Sequence, residues 1–296
     1  MADILTSPTS KKTLKILLIS FYYPPDLSAG SFRMEAMVKA LQRRSAAQGL
    51  HLEIDVLTTT PNRYSEIAIS PAGLEERPSL HIHRIALPSH TGGIKDQSRA
   101  FLSYARQALR LSKGQTYDLV FGTSSRLMSA ALAAQIARRS SSRLYLDIRD
   151  IFTETMQDVF VKSVLRHVLG LFRFIERRTF RQAERISINS PGFAAHIAQV
   201  APNVGVKVFT NGIDPDFLTE DFSKSENATA TLPSLLYAGN IGEGQGLEKI
   251  IPALAKRFAG RMQFRIIGNG GRRAALEQAL QNVPQNSVTL SPAMAR

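Results

Sequence analysis

Cysteine is absent from all 296 residues. Its absence excludes a disulfide scaffold, a zinc–thiolate site and a cysteine nucleophile, and it suits a reducing cytoplasm. Also missing is any apolar run of the roughly 18 residues that a membrane-spanning helix needs. The opening MADILTSPTSKK has no apolar stretch of the signal-peptide kind, and Met1 to Thr13 reads as a polar tail. Histidine is scarce and scattered. His81 and His83 share a strand face, but no carboxylates cluster near them in the chain, so no metal is expected.

What is present is an ordinary apolar fraction, 44%, over a length that suits about two domains. Charge is unevenly spread within the net +13. Residues 1–210 hold 28 Lys and Arg against 16 Asp and Glu, a net +12, whereas residues 211–296 hold 9 against 8, a net +1. A basic first half implies a polyanionic partner, nucleic acid or an anionic membrane surface. The basic residues are not interleaved with aromatics in a recognisable nucleic-acid module, so no nucleic-acid partner is expected.

Short apolar runs alternate with helical spacing along the chain. Strands are expected at Lys15–Ser20, Leu52–Thr58, Leu80–Leu87, Tyr117–Thr123, Arg143–Ile148 and Arg185–Ser190, and Val206–Asp214 closes the first half. Helices are expected over Ser28–Ala47, Arg126–Arg139 and Asp158–Glu184, with another starting at Pro191. Pro215 to Thr231 reads as a linker. The alternation then restarts with strands at Ser234–Asn240, Met262–Gly268 and Ser287–Leu290 and helices at Leu247–Phe258 and Arg272–Gln281. Such alternation means parallel sheets covered by helices, in domains spanning residues 14–214 and 232–296. Three strands are fewer than the five or six of a doubly wound domain, so the second domain is expected to be incomplete.

Several segments sit where ligands of α/β proteins bind, at strand ends and helix starts. In FYYPPDLSAGSFRM (Phe21–Met34), the small residues Ala29, Gly30 and Ser31 let a phosphate approach backbone N–H groups, and Arg33 adds charge; a plain strand–helix turn is the alternative. LDIRDIFTET (Leu146–Thr155) crowds Asp147, Arg149, Asp150 and Glu154 at a strand end. A carboxylate there can take a proton from a hydroxyl and an arginine can hold phosphate, or the charges are a solvated loop. FTNGID (Phe209–Asp214) marks the hinge between the halves. YAGNIGEGQGLEKI (Tyr237–Ile250) brings Gly239, Asn240, Gly242, Gly244, Gln245 and Gly246 between strand and helix. It is neither a Walker loop nor a GxGxxG fingerprint. IIGNGGRRAALEQAL (Ile266–Leu280) does the same with Gly268, Asn269, Gly270, Gly271 and Arg272. Two such loops on one sheet point to a nucleotide cleft. Finally, Val161–Arg185 sets Lys162, Arg166, Arg173 and Arg177 among leucine, valine and phenylalanine, a helix that suits a membrane interface or a core with a solvated basic face.

Together these segments, in their order and spacing, resemble retaining glycosyltransferase family 4, of GT-B fold. The likeness is greatest to the branch that builds O-antigen and capsule sugars, including N-acetylfucosamine transferases. The resemblance implies two Rossmann-like domains: an N-terminal one binding a polyprenyl-linked glycan acceptor at the inner face of the cytoplasmic membrane, and a C-terminal one binding a UDP-sugar, an N-acetylated hexosamine by the branch. It carries the donor-phosphate role onto Ala29-Gly30-Ser31 and Gly239 to Gly246, the nucleotide side onto Gly268 to Gly271, and the catalytic position onto Arg149 and Asp150. Asp150 would accept or orient the hydroxyl proton, and Arg149 would stabilise the departing diphosphate. No cofactor or metal is implied beyond the donor itself. Two departures stand out. Asn240 and Gln245 occupy places where many members have Arg and Lys, so phosphate charge falls to Arg33, Arg149 or Arg272. The E-x7-E element that grips the donor sugar should follow the last strand, where the sequence reads SPAMAR. The expectation is a transferase cut short, with a catalytically inactive membrane-associated remnant as the alternative.

Overall fold

A computed structural model of the chain describes residues 13–26, 28–61, 73–88, 94–124, 126–154, 166–213, 215–219, 232–284 and 286–294. The chain forms two compact units, Met1–Gly212 and Ile213–Arg296.

The first unit is built on an eight-stranded sheet. Its strands are β1 (Leu14–Ile19), β2 (Leu52–Thr59), β3 (Leu74–Arg77), β4 (Leu80–Ile85), β5 (Leu119–Ser124), β6 (Arg143–Ile148), β7 (Arg185–Ile188) and β8 (Gly205–Val208). They lie in the order β3-β4-β2-β1-β5-β6-β7-β8. Every neighbouring pair is parallel except β3 with β4. The strand order reverses between β1 and β5, and in such sheets the crevice outside the carboxyl ends at that point takes the ligand.

Burial follows the two-residue alternation of the strands. On one face Ile16, Leu18, Ile54, Val56 and Phe121 pack against Met34 and Val38 of α1 (Ala29–Ala47). On the other, Leu17, Ile19, Val120, Leu144 and Leu146 meet α2 (Ile94–Leu111), α3 (Leu127–Arg139) and α4 (Arg166–Gln182) through Tyr104, Ala133 and Phe180. A short helix, α5 (Ala194–Val200), follows β7. α1 starts where Ser28 caps it, its hydroxyl accepting from the Ser31 N–H at 3.1 Å.

The expected strands are present with ends shifted by a few residues. The expected helix over Asp158–Glu184 is α4 where it is described; residues 155–165, Lys162 among them, lie outside the described residues. Two elements carry no reading above. β3 is an edge strand of sequence LEER, with no apolar run to announce it. α2 buries Ala100, Phe101, Tyr104 and Ala108, a narrow stripe diluted by Arg, Ser and Gln.

In the second unit β9 (Ser234–Ala238), β10 (Gln263–Ile267) and β11 (Val288–Ser291) form a parallel sheet in the order β11-β10-β9. α6 (Leu247–Arg257) and α7 (Arg273–Leu280) connect them, around Ile241, Leu247, Ile251, Phe264, Ile266 and Leu276. Among the described residues this sheet has three strands, in the half-order that β4-β2-β1 takes in the first unit. β9 is its edge, with Leu236 60% exposed. The fold is α/β with two Rossmann-like units, the second smaller.

Candidate functional site

The carboxyl edge of the large sheet gathers the polar groups of the first unit. Asp147 is the next-to-last residue of β6 and is fully buried. It accepts from Arg33 Nε at 2.9 Å and Nη2 at 3.0 Å, and from the Ser187 hydroxyl at 2.7 Å. Arg33 also donates to the Phe209 carbonyl and to Asn211 Oδ1, each at 3.2 Å. This one side chain ties α1 to β6 and to the turn after β8. Arg33, expected among the donor-phosphate ligands, is therefore occupied by Asp147, Phe209 and Asn211, and its charge is met within the fold. Asp147 is expected above only as one of the four crowded charges, and Ser187 carries no expectation. A lone carboxylate at a buried position of RLYLDI was the available signal.

Arg149, two residues beyond Asp147, is placed differently. Its guanidinium lies over Gly30, where a Cβ would come within 2.7 Å of Nη2. The glycine expected to admit a phosphate thus admits this guanidinium at the first turn of α1. Arg149 Nε and the Ser31 hydroxyl are buried without a hydrogen-bond partner. Burial, helped by Arg33, presses the guanidinium below its ordinary proton affinity, while Asp147 and Asp150 oppose the shift. An arginine stays charged under such pressure, so this is a largely desolvated cation whose Nε has no hydrogen-bond acceptor. Asp150 follows on the exposed side, and Ala29 is exposed at the helix start. The result is an amide terminus, a hydroxyl and a guanidinium together at the crevice edge, which suits an anion with several acceptor oxygens.

In the second unit the two glycine loops are knit to each other. Gly239 N–H donates to Ile267 O and Ile241 N–H to Asn269 O, both at 2.9 Å. A Cβ on Gly268 would fall 1.8 Å from the Gly239 carbonyl oxygen, and one on Gly270 would fall 2.3 Å from that of Ile241. These glycines are required by backbone approaching backbone. Gln245 Oε1 accepts from Gly242 N–H at 3.1 Å, and the Asn240 carbonyl accepts from the Tyr237 hydroxyl at 2.7 Å. Arg272 donates to Glu248 Oε1 through Nη2 at 2.7 Å and Nε at 3.1 Å. The hydrogen bond from Arg272 holds the Glu248 carboxyl below the usual carboxylate range. Gly246, at φ 58°, turns the chain into α6, and Gly244 and Gly271 have open space where a Cβ would be. Gln245 and Arg272, both expected at the donor, thus have partners inside the loops.

Arg173 and Arg177 are exposed on α4, beside Leu171 at 57% and Phe174 at 62% exposure; Arg166 is the first residue of that helix. Among the described residues no group of three or more His, Cys, Asp and Glu could hold a metal ion, and no helix is long and apolar enough to cross a membrane.

Residues 33–212 match the family described as Glycosyl transferase 4-like domain. Over 178 residues, 55% of this chain, the sequence is 28% identical to a protein of Escherichia coli K12 assigned to colanic acid biosynthesis as the glycosyl transferase WcaI. The chain spans 43% of that relative's length. Among solved structures, sucrose-phosphate synthase from Thermosynechococcus elongatus aligns at a TM-score of 0.68 and 16% identity, over 95% of this chain and 71% of that one. Anabaena HepE, in complex with UDP and glucose, aligns at 0.62 and 13% identity, over 95% and 70%.

Proposed function

The chain belongs to the glycosyl transferase 4-like family, and from that premise we propose that it serves transfer of a sugar, with retention, from a UDP-sugar to a lipid-linked acceptor in envelope polysaccharide synthesis. An N-acetylated hexosamine is the donor sugar this reading favours, in O-antigen or capsule assembly. One observation carries the donor half of the reading. Of the three arginines available to meet a diphosphate, Arg33 is held by Asp147 and Arg272 by Glu248, whereas Arg149 Nε is desolvated and unpartnered beside the start of α1. A diphosphate leaving group at this edge would take the Arg149 guanidinium and the helix-terminal amides. Their stabilisation would be greatest as the glycosidic bond breaks and negative charge grows on the leaving oxygen. Asp150, exposed next to Arg149, would accept or orient the proton of the attacking hydroxyl. Ala29 and Gly30 would offer a phosphate their backbone N–H groups, that of Ser31 being held by the Ser28 hydroxyl. In the second unit, taken by itself, Gly244, Gly246 and Gly271 would leave room for a nucleotide.

Calorimetric titration with UDP tests this. Arg149→Ala should weaken binding by about tenfold or more, the worth of a charge-assisted hydrogen bond, and Arg149→Lys should recover part of it. Equal UDP affinity in Arg149→Ala and the unaltered protein would sink the donor site.

The acceptor half of this reading would put the protein on the inner face of the cytoplasmic membrane. Support comes from two helices packed on one face of the sheet. α4 turns Leu171, Phe174, Arg173 and Arg177 outward, and α2 turns out Arg99, Leu102, Arg106 and Arg110 at helical spacing. Basic side chains interleaved with exposed apolar ones suit an anionic interface. Vesicles containing anionic lipid should sediment the protein, and Phe174→Glu with Leu102→Glu should release it. Sedimentation of the double variant equal to that of the unaltered protein would count against this face.

A further inference from the structure

A chain of buried polar contacts fastens the segment that follows the Arg149–Asp150 pair, and the donor site uses none of its members. Ile151 is buried, and Phe152 meets Phe172 of α4 edge-on, with ring centroids 5.0 Å apart. The Thr153 hydroxyl donates to the Glu176 carboxylate, 2.9 and 3.0 Å from its two oxygens. Glu176 lies on the inner side of α4, 2% exposed. Across from it His196, on α5, places Nε2 2.8 Å from Glu176 Oε1 and Nδ1 3.1 Å from Glu154 Oε1. Each ring nitrogen faces a carboxylate oxygen. A buried carboxylate without a partner would be costly, and here it has a hydroxyl and a ring nitrogen.

We infer that His196 and Glu176 are positioning residues: through Thr153 and Glu154 they fix the short turn after β6 and thereby hold Arg149 over Gly30. Two residues separate Asp150 from Thr153, and both of their side chains are anchored, so the segment has little slack. The clamp joins three elements, since the helical residues 152–154 after β6, α4 and α5 each supply a member. This role rests on the donor-site reading of Arg149 for its consequence, but not for its structural content.

Hydrogen exchange on the full chain tests the structural content first. Thr153→Val keeps shape and removes the hydroxyl; His196→Asn removes the bridge. Each should speed exchange of the amides in residues 149–154 by about tenfold or more, leaving β1, β2 and β5 at their original rates. Thr153→Ser, which keeps the hydroxyl, should restore slow exchange. Unchanged exchange in 149–154 overturns the inference, whatever happens to ligand binding. UDP titration then tests the consequence. His196→Asn should weaken UDP about fivefold in the unaltered background and under twofold when Arg149 is already alanine, because the effect passes through Arg149. An equal loss in both backgrounds would make the clamp structural only. If Arg149→Ala alone leaves UDP affinity unchanged, the donor site fails, while the exchange result still decides the clamp.

Discussion

Asp147 accepts three hydrogen bonds from Arg33 and Ser187, while Arg149, two positions on, keeps a buried Nε with no acceptor. The contrast assigns work within one strand end. The first residue holds the edge together, and the second, on the proposed reading, is the one that would meet a ligand. Asp147→Asn keeps the shape but leaves the largely buried Arg33 without a counter-charge. Breaking one member of a buried pair costs about 3–5 kcal/mol, so urea unfolding should show the first unit destabilised by that order. A loss under about 1 kcal/mol would mean that Arg33 finds water or another acceptor. From sequence, both residues are visible as charges in LDIRDIFTET. Which of them is already satisfied was not legible, because Arg33 lies 114 residues away and no local pattern encodes that pairing. The glycines divide in the same way. Their placement at strand ends was readable, but that Gly30 faces a guanidinium and Gly268 a carbonyl required the folded chain.

At the scale of elements, the parallel strands were legible because burial on both faces leaves short unbroken apolar runs, as in KILLIS and RLYLDI. β3 and α2 were not, since an exposed edge strand and a helix with a narrow apolar stripe carry weak periodicity. α2 also brings Tyr104, whose hydroxyl donates to the Leu57 carbonyl at 2.7 Å beneath the sheet. Burial drives its phenol well above the ordinary value near 10. Tyr117 is raised by burial and by Asp55, and Tyr23 is pushed up to about 12 by burial and Glu35. In each case the folded value exceeds the unfolded one. The stability these phenols contribute is therefore complete below about pH 10 and is lost as pH climbs through the folded values. The urea midpoint should hold up to about pH 10 and fall steeply between 10 and 12. Tyr104→Phe, despite its lost hydrogen bond, should flatten that fall, and an unchanged slope would remove Tyr104 from the account.

For the whole molecule, the two units differ in how well their sheets are closed off. The large sheet ends in β3, whose Glu75 and Arg77 are paired, and in the short β8. Among the described residues the small sheet ends in β11 and in β9, and β9 shows Leu235 and Leu236 with no charged residue in the strand. Exposed apolar edges of this kind recruit further strands. Light scattering should therefore rise with protein concentration, and Leu236→Lys, a charge placed on the edge, should reduce it. Scattering indifferent to that substitution would shift attention to the outward apolar residues of α4.

The Arg33 guanidinium has one more consequence, which concerns time. Its partners stand 114 and 178 residues further along the chain, at Asp147 and Asn211. At the usual pace of synthesis, about 5–20 residues per second, Asn211 emerges on the order of 10 to 40 s after Arg33. Until Asp147 emerges, on the order of 6 to 23 s after Arg33, the first helix has its inward-facing cation and nothing to close on. The sheet edge that would receive a sugar donor is among the last parts of the first unit to be completed, and a nascent chain stalled short of β8 would present it unfinished.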